Sequence, residues 1–389
     1  SSIECNFETC IRFASIMSLV LNETASFLQD QTQKFAREKT PTSHFRSIRD
    51  SENPDCFDRE IWKQMADQGL TGILIPEEFG GSNFGLSGIG IVLQELGRTL
   101  TPSPLLATAV IGASFITKLG TEEQKKKYLP EIVKGNITCC FALEEGPRHN
   151  PIVSETNAEK KGNKFIVNGK KTFVIDGGFA DLIIIAAKTK NGVTLFTTDR
   201  DSNGIEINQT KMVDSRNAAN ITFKNLEINS DAILGEPDSA QDIINEVLDI
   251  SRAVLAAEML GGALEAFEIT LNYLKEREQF GAKIGSFQAL QHRAANMFTE
   301  LELCKSCVLE SLSAFEEKSN DIQRLVSLSK AKVGETFHLV SNEGVQMHGG
   351  VGVTDEYDIG LYLKRARVAE QTFGNSEFHR NRYAEITGY

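Results

Sequence analysis

The sequence predicts an α+β protein of several domains: a helical N-terminal domain, a central antiparallel β-barrel or sandwich, and a C-terminal four-helix bundle. Three observations lead to this prediction. Apolar residues recur at helical spacing up to about residue 136, short β-rich segments fill residues 137–236, and no proline follows Pro237. With 389 residues the chain is long enough to bury the cores of two or three such domains.

The N-terminal domain is expected to run from Met17 to residue 136. The segment "FDREIWKQMADQGLTGI" begins at Phe57, and its helix is expected to stop at Gly69. The following "IPEEFGG" is expected to form a loop because of its proline and glycines. Residues 1–16 lack a basic start and an apolar stretch followed by a cleavage site, so we expect an added leader sequence there rather than a signal peptide.

The central domain, residues 137–236, contains six short β-rich segments with turns between them. Segments such as "DLIIIAAKT" and "GVTLFTTD" are typical of strands in a small antiparallel barrel or sandwich. The dipeptide Asn168–Gly169 predicts a tight hairpin.

The C-terminal domain, residues 237–389, has the pattern of long helices. Apolar residues from Ile250 to Leu274 step by three or four positions, which predicts one long helix with an apolar stripe. Similar patterns cover residues 288–317, 321–348 and 359–372. Four helices with short links predict an antiparallel bundle.

Composition argues against several kinds of partner and against a metal site. The formal net charge of -12 argues against nucleic acid or an anionic membrane as the main partner, although a few local cations could still hold an anionic small ligand. No stretch reaches 18 consecutive apolar residues, so we expect no membrane span. Of seven cysteines, only Cys304 and Cys307 form a CxxC pair, so we expect no metal site. Free thiols fit a cytoplasmic location.

Three C-terminal stretches carry residue types that cofactor sites use. In "REQFGAKIGSFQALQ", Arg277 and Phe280 stand beside a turn, where an arginine suits a phosphate and a ring can stack on a purine. In "QMHGGVGV", the glycines allow close approach of a ligand to the backbone, without the GxGxxG pattern of a Rossmann site. The third, "QTFGNSEFHR", sets Phe373 before a small polar turn. Taken singly, a helix connection or a structural turn explains the first two at least as well.

The order of these stretches on a helix–sheet–helix layout resembles the acyl-CoA dehydrogenase family. The resemblance covers nearly the whole chain from Met17 on, and "IPEEFGG", "GTEEQKKKYLPEIVKG" and "NGKKTFVIDGGFADLIIIAAKT" match in register as well. It implies an FAD-dependent oligomer of homologous subunits that oxidises an acyl-CoA thioester to the 2,3-enoyl-CoA, with an electron-transfer flavoprotein as acceptor. In that chemistry a carboxylate removes the α-proton and the flavin takes the β-hydrogen as hydride.

The same resemblance implies contacts at individual positions. The segment "LDISR" places Asp249 and Arg252 on the substrate side, although an ion pair within the helix is an equal alternative. The residues that the resemblance assigns to FAD are Phe141, Leu143, Phe173, Arg277, Gln279, Phe280, Gln288, Gln346, Gly349, Gly350 and Asn375.

The catalytic base of the family is missing from both of its known places. Phe373 stands where most members have a glutamate, and Ser251 stands at the second known place, before the arginine of the "LDxxR" stretch. Neither side chain can replace a carboxylate as a proton acceptor. Candidates for a relocated base on or near the long helix are Glu246, Asp249 and Glu258.

The positions that serve the flavin ring differ as well. The family's "TEPGAGSD" loop reads "EEGPRHNP" here, which by resemblance puts Glu144 near the flavin pyrimidine edge. At 4 Å and an effective dielectric constant of 20, its repulsion with a reduced flavin would be roughly 4 kcal/mol. The tryptophan of the family's "WITN", which packs on the ring, is replaced by Phe173.

The chain thus keeps the residues that, by resemblance, contact the FAD of a neighbouring subunit. It has lost several residues that, by resemblance, serve its own flavin ring. This pattern favours one subunit of a heteromeric acyl-CoA dehydrogenase that supports FAD in trans. One alternative is a homomeric dehydrogenase with a relocated carboxylate. A second is another flavin chemistry on the same fold, such as monooxygenation, or a purely structural relative.

Overall fold

The computed structural model describes residues 22–389, and the expected leader at residues 1–16 lies outside the described residues. The described N-terminal part is helical. Its helices are α1 (Glu23–Lys39), α2 (Thr42–Asp50), α3 (Arg59–Asp67), α4 (Leu86–Arg98), α5 (Ala113–Leu119) and α6 (Glu122–Val133), with a π-helical segment at Leu105–Gly112.

Side-chain caps set the ends of these helices where the sequence suggests. The Asp58 carboxylate accepts hydrogen bonds from the first-turn N–H groups of α3, at 2.8 Å from Glu60 and 3.3 Å from Ile61. Helix α3 then ends before Gly69, whose φ of 78° suits glycine. The expected stop at Gly69 is confirmed.

The central part is one eight-stranded sheet. Its strands are β1 (Cys139–Ala142), β2 (Asn157–Lys161), β3 (Lys164–Ile175), β4 (Leu182–Lys188), β5 (Val193–Asp199), β6 (Ile205–Lys211), β7 (Asn217–Asn229) and β8 (Ile233–Leu234). They lie in the order β6-β7-β3-β2-β4-β5-β8, with β1 paired to β4. The pairs β1–β4 and β2–β4 are parallel and the others are antiparallel.

The hairpin predicted at Asn168–Gly169 is wrong. Both residues lie inside β3, and the pairing of β3 with β7 shifts register between Val167 and Gly169. Gly169 has a φ of 151°, and a Cβ there would stand 2.6 Å from the Cα of Thr156. Glycine therefore serves a bulge and a close backbone approach at this position. The turn from β2 to β3 is made by Gly162, with a φ of 63°.

The C-terminal part contains the four expected helices and one more. Helices α7 (Gln241–Glu276), α8 (Gln288–Glu316) and α9 (Ile322–His348) run up, down and up, followed by α10 (Ile359–Gln371) and α11 (Ser376–Thr387). Between α7 and α8 lies a small hairpin of β9 (Glu278–Gln279) and β10 (Ala282–Lys283). The fold class inferred from the sequence is confirmed.

Helices α4 and α7 touch through their backbones. A Cβ on Gly261 of α7 would stand 1.9 Å from the carbonyl oxygen of Gln94, and a Cβ on Gly97 of α4 would stand 2.3 Å from that of Glu258. Both glycines are buried, and the helices share one apolar core. This contact fixes the side chains that α4 and α7 direct into the interior described below.

Replacing Gly261 by alanine is expected to lower the free energy of unfolding by about 1–3 kcal/mol, because the added methyl group forces α4 and α7 apart. Urea unfolding followed by circular dichroism measures the change. Gly350→Ala is the matched control, since a Cβ at that exposed glycine meets no atom within 4 Å. A loss for Gly261→Ala no larger than that of the control would show that the helices separate without strain.

Candidate functional site

The turn between α10 and α11 is held by its main chain. Phe373 and Gly374 have left-handed φ angles of 57° and 101°. The Phe373 carbonyl oxygen accepts from Arg252 Nε at 2.9 Å and from His379 Nε2 at 3.1 Å. Burial, with Arg252 and Lys330 nearby, holds the pKa of His379 far below its usual range, so the ring is neutral and donates this hydrogen.

Lys330 also stabilises this turn through its main-chain carbonyl groups. Its ammonium group lies fully buried and donates to the carbonyl oxygens of Ala369 at 3.1 Å, Glu370 at 2.9 Å and Gly374 at 3.1 Å. A cation at these last carbonyls is favourable for a helix terminus. Burial lowers the pKa of Lys330 to about 7, although Glu370 opposes the shift.

A continuous chain of charged side chains crosses the interior beside this turn. Nη1 and Nη2 of Arg382 each donate to Asp249 at 2.7 Å, and Arg252 Nη1 donates to Asp249 at 2.9 Å. Arg252 Nη2 lies 2.8 Å from His149 Nε2, and His149 Nδ1 contacts the Glu144 carboxylate. Because arginine can only donate, His149 Nε2 is the acceptor, and Nδ1–H donates to Glu144. Burial lowers the pKa of His149 and keeps the ring neutral.

The Arg252–His149 contact separates two spaces. Outside it lies an open groove of about 840 Å³, lined by Arg252, Arg382, Phe378 and several side-chain amides. Inside it lies a cavity of about 170 Å³ beside Phe373, also lined by Glu144 and His149. The Phe378 ring packs edge-on to His149 with centroids 4.9 Å apart. We call this partition the His149 wall; its members are Arg252, His149 and Phe378.

A second, smaller cavity of about 50 Å³ adjoins the first, and the two share Phe173, Ile175 and Thr372 as lining residues. We call it the charged cavity. Arg365 donates to Glu258 at 2.8 and 3.0 Å and to Asp214 at 2.8 Å. The remaining charged members of this cluster are Asp176 and Arg216. Burial raises the pKa of Asp176 to about 7, although Arg216 opposes the shift.

The loop that carries Glu144 and His149 is organised by Glu145. Its carboxylate accepts from the backbone N–H groups of Ser154, Glu155 and Thr156 at 2.8–2.9 Å and from Lys171 Nζ at 2.9 Å. Burial disfavours the charged carboxylate, but these donors outweigh it and lower the pKa of Glu145 to about 2. The loop is thereby fastened to β3, which contains Lys171.

The depressed pKa of Glu145 makes the loop acid-sensitive. A lowered native pKa contributes stability above the unfolded-state value of 4.5, and this contribution is lost as the pH falls toward 2. We expect the stability advantage of the wild type over Glu145→Gln to shrink by about 2 kcal/mol between pH 6 and pH 2.5. Urea unfolding at both pH values tests this, with Glu159→Gln as an exposed control. An advantage independent of pH would contradict it.

The candidate bases from the sequence are all held by cations. Glu246 lies at the surface and pairs with Lys118 at 2.7 Å, away from both cavities. Asp249 is buried between Arg252 and Arg382, and Glu258 is held by Arg365. Ser251 Oγ donates to the Val247 carbonyl oxygen at 2.6 Å. The carboxylate that lines the cavity beside Phe373 is that of Glu144.

Most positions assigned to FAD by resemblance lie together at one end of the bundle. Helices α7 and α9 end side by side there, since Tyr273 stacks on His348 with centroids 4.2 Å apart. Phe280, at the tip of the β9–β10 hairpin, is 92% exposed. The other members of this group are also exposed: Arg277, Gln279, Gln288, Gln346, Gly349 and Gly350. We call these seven residues the hairpin surface.

The four remaining FAD assignments fall elsewhere. Phe141 and Leu143 belong to the apolar core, where Phe141 packs on Phe115. Asn375 caps α11, its side-chain oxygen accepting from the Phe378 N–H at 2.9 Å. Phe173 lines both inner cavities and is more than half exposed.

Sequence reasoning missed His149, Lys330, Asp176 and Arg382. The signal for His149 was present in "EEGPRHNP", where an acid and a histidine stand five residues apart in a loop, but its partner Arg252 lies 103 residues further on. Asp176 had a weaker signal, an acid directly before Gly177–Gly178 at the end of a β-rich segment. Lys330 and Arg382 stand in ordinary helical patterns and gave none.

Comparisons with known proteins agree with this architecture. The chain matches the N-terminal, middle and C-terminal domain models of acyl-CoA dehydrogenase at residues 22–136, 144–226 and 241–387. It is 30% identical over 382 residues to the mitochondrial isovaleryl-CoA dehydrogenase of Pongo abelii, covering 92% of this chain and 85% of that protein.

Solved structures are similar over nearly the whole chain. An acyl-CoA dehydrogenase from Geobacillus kaustophilus has a TM-score of 0.89 and 27% identity, over 96% of this chain and 100% of that one. A variant of the Tcur3481-Tcur3483 steroid ACAD has a TM-score of 0.86 and 30% identity, over 94% and 98% of the two chains. In the part of the chain that the structure describes, no helix combines the length and apolar character needed to cross a bilayer.

Proposed function

This chain belongs to the acyl-CoA dehydrogenase family, and from that membership we propose that it is one subunit of a heteromeric, FAD-dependent acyl-CoA dehydrogenase. Homologues such as the isovaleryl-CoA dehydrogenase and the Geobacillus kaustophilus enzyme are oxidoreductases that act on acyl-CoA. In the proposed enzyme, this chain holds the adenosine diphosphate end of an FAD whose ring lies on a homologous partner subunit. One observation carries the proposal: the hairpin surface is exposed, whereas the cavity beside Phe373 is small and is lined by the bonded side chains of Glu144 and His149.

The interior does not fit a flavin ring. The cavity beside Phe373 measures about 170 Å³, below the roughly 300–1,000 Å³ usual for sites of drug-sized ligands. Glu144 and His149 line it and bond to each other and to Arg252. A carboxylate at this position would also face the negative charge of a reduced flavin. We therefore derive no catalytic step within this chain's own interior.

The hairpin surface fits the other end of the cofactor. Arg277 offers a fork of N–H donors that matches a pyrophosphate, and the exposed Phe280 offers a face for the adenine. A Cβ at Gly349 or Gly350 would meet no atom within 4 Å, so the backbone there is open to a ligand. When bound, FAD supplies hydride acceptance from the β-carbon. The three glutamines supply amide groups around it.

The partner subunit must then supply the groups that this chain lacks. Those are a carboxylate for the α-proton and hydrogen-bond donors to the thioester oxygen. The name of one solved relative, the Tcur3481-Tcur3483 steroid ACAD, joins two components, and this supports a two-component assembly. An electron-transfer flavoprotein as acceptor and a cytoplasmic location stay predictions.

The flavin content of the purified protein tests the proposal. We expect the chain expressed alone to contain no stoichiometric flavin and to reduce no dye with a panel of acyl-CoA thioesters. The tagged chain isolated from its native host should carry a homologous subunit and one FAD per two chains. One flavin per chain in the isolated protein, together with dye reduction, would overturn the proposal. Oxygen uptake with reduced flavin would instead indicate a monooxygenase.

A self-sufficient homomer is the second candidate, and one observation favours it. The Glu144 carboxylate faces the cavity beside Phe373 and is oriented by His149 Nδ1 and by the Asn150 N–H at 3.1 Å. If the isolated chain is active, Glu144→Gln should lower kcat by about 10²–10⁴-fold, as expected for loss of a general base. The same change at Glu246, which lies outside the cavities, should leave kcat unchanged.

A further inference from the structure

Asp176 is a buried carboxyl group that lines the charged cavity. It is 9% exposed, stands just after β3 with a left-handed φ of 59°, and lines the cavity. Within residues 22–389 its carboxylate accepts no hydrogen bond, and the groups that act on it electrostatically are Arg216, Arg365 and Glu258. A buried acceptor without a donor calls for water or a ligand.

Arg216 provides the complementary donor. Its Nε is buried and has no hydrogen-bond partner in the described part of the chain. Its Nη2 lies 3.4 Å from the Leu100 carbonyl oxygen and 3.6 Å from Glu258, both long contacts. The neighbouring Arg365, by contrast, is fully engaged by Glu258 and Asp214. In the described part of the chain, the lining of the cavity therefore includes a carboxyl group that accepts no hydrogen bond and a guanidinium group whose donors are only partly used.

We propose that the charged cavity binds a hydroxyl group, or an equivalent neutral group that both donates and accepts, at the end of the acyl chain of an acyl-CoA. A hydroxyl can donate to Asp176 and accept from Arg216 at once. This inference rests on the proposed function and gives the charged cavity a role in ligand binding rather than in turnover.

The charges of the cluster favour a neutral group. Three carboxyl groups, those of Asp176, Asp214 and Glu258, face two guanidinium groups, those of Arg216 and Arg365. Because burial raises the pKa of Asp176 to about 7, the carboxylates of Asp214 and Glu258 nearly balance the two guanidinium groups near neutral pH. A carboxylate or an ammonium group on the ligand would add an unbalanced buried charge. An alkyl end would displace water from Asp176 and Arg216 without replacing its hydrogen bonds.

The shape of the interior fits the end of a short chain. About 50 Å³ holds roughly three water-sized groups. The cavity beside Phe373 adjoins it through Phe173, Ile175 and Thr372, and the open groove lies beyond the His149 wall. A ligand entering from the groove must therefore move His149 aside, which breaks its contacts with Arg252 and Glu144.

Binding of unreactive CoA thioethers to the full chain tests this inference by isothermal titration calorimetry. The probes are S-butyl-CoA, S-(4-hydroxybutyl)-CoA and S-(3-carboxypropyl)-CoA, which have similar lengths. We expect the hydroxyl probe to bind at least about tenfold more tightly than the other two, as hydrogen bonds to charged groups allow. Arg216→Met should bring the ratio of hydroxyl to butyl binding near one. Arg59→Met, at an exposed ion pair, should leave the ratio unchanged.

If Arg216→Met fails to fold, the ratio of hydroxyl to butyl binding measured on the wild type still tests the inference. Equal affinities, a preference for the carboxylate, or no binding of any probe would each overturn the inference. None of these outcomes bears on the proposed support of FAD in trans, which the flavin content of the two-component assembly decides. His149→Ala should speed the association of the hydroxyl probe, and an unchanged association rate would contradict entry past the His149 wall.

Discussion

Replacing Asp249 by alanine is expected to lower the free energy of unfolding by about 3–5 kcal/mol, the largest stability effect that we predict for a single substitution. In the described structure, Asp249 is the only acid that hydrogen-bonds to Arg252, and its two oxygens also accept from Arg382. The side chains of Arg252 and Asp249 are each 3% exposed. Removing the acid leaves a largely buried guanidinium without its counter-charge.

Chemical unfolding followed by circular dichroism measures this loss. Asp201→Ala is the matched control: it removes the same group from a 95% exposed position, where its ion pair with Arg200 spans 3.9 Å. The control is expected to change stability by less than about 0.5 kcal/mol. Asp249→Asn, which keeps the shape and can still accept, should fall between the two. A loss below 1 kcal/mol for Asp249→Ala would mean that the interior charges are solvated.

The second large effect concerns the hairpin surface. In the two-component assembly, Arg277→Ala combined with Phe280→Ala is expected to weaken FAD binding by about 10²–10³-fold, since a charge-assisted bond and a stacked ring are lost together. Neither side chain packs in the core: Arg277 is exposed and Phe280 is 92% exposed. The folded state of the variant should therefore be intact, and the loss should be confined to the cofactor.

Flavin absorbance after purification and FAD titration of the stripped assembly measure this change. The matched control removes an arginine and a phenylalanine that are exposed elsewhere, Arg37 and Phe27. Retention of FAD by the variant at the wild-type level would show that the adenosine end is not held by this chain. If the control loses flavin equally, the effect is one of stability rather than of contact.

Much of the architecture was predictable because it depends on local patterns. The stop at Gly69 follows from a single left-handed residue, and the long helix α7 follows from apolar spacing alone. The exposure of Arg277 and Phe280 follows from their place in a connection between helices. The Asn168–Gly169 prediction failed because the same dipeptide serves a bulge as well as a turn, and tertiary contact with Thr156 decides between them.

The interior was not predictable, because its chemistry depends on contacts that are distant in sequence. His149 meets Arg252 over 103 residues, and Arg365 meets Asp214 over 151. The sequence motif could show that Phe373 cannot act as the catalytic base. It could not show that Glu144 and His149 line the cavity beside Phe373, since that depends on how Glu145 fastens the loop to β3.

The bonds of Lys330, Arg252 and His379 to the Phe373 turn all end on main-chain oxygens. These hydrogen bonds therefore do not involve the side chain at position 373. After a gene duplication, one copy could exchange a reactive residue for an inert ring there and keep these hydrogen bonds, while a sister copy kept the reaction. Such a turn allows two copies of a gene to take different catalytic roles while both proteins keep the same main-chain hydrogen bonds.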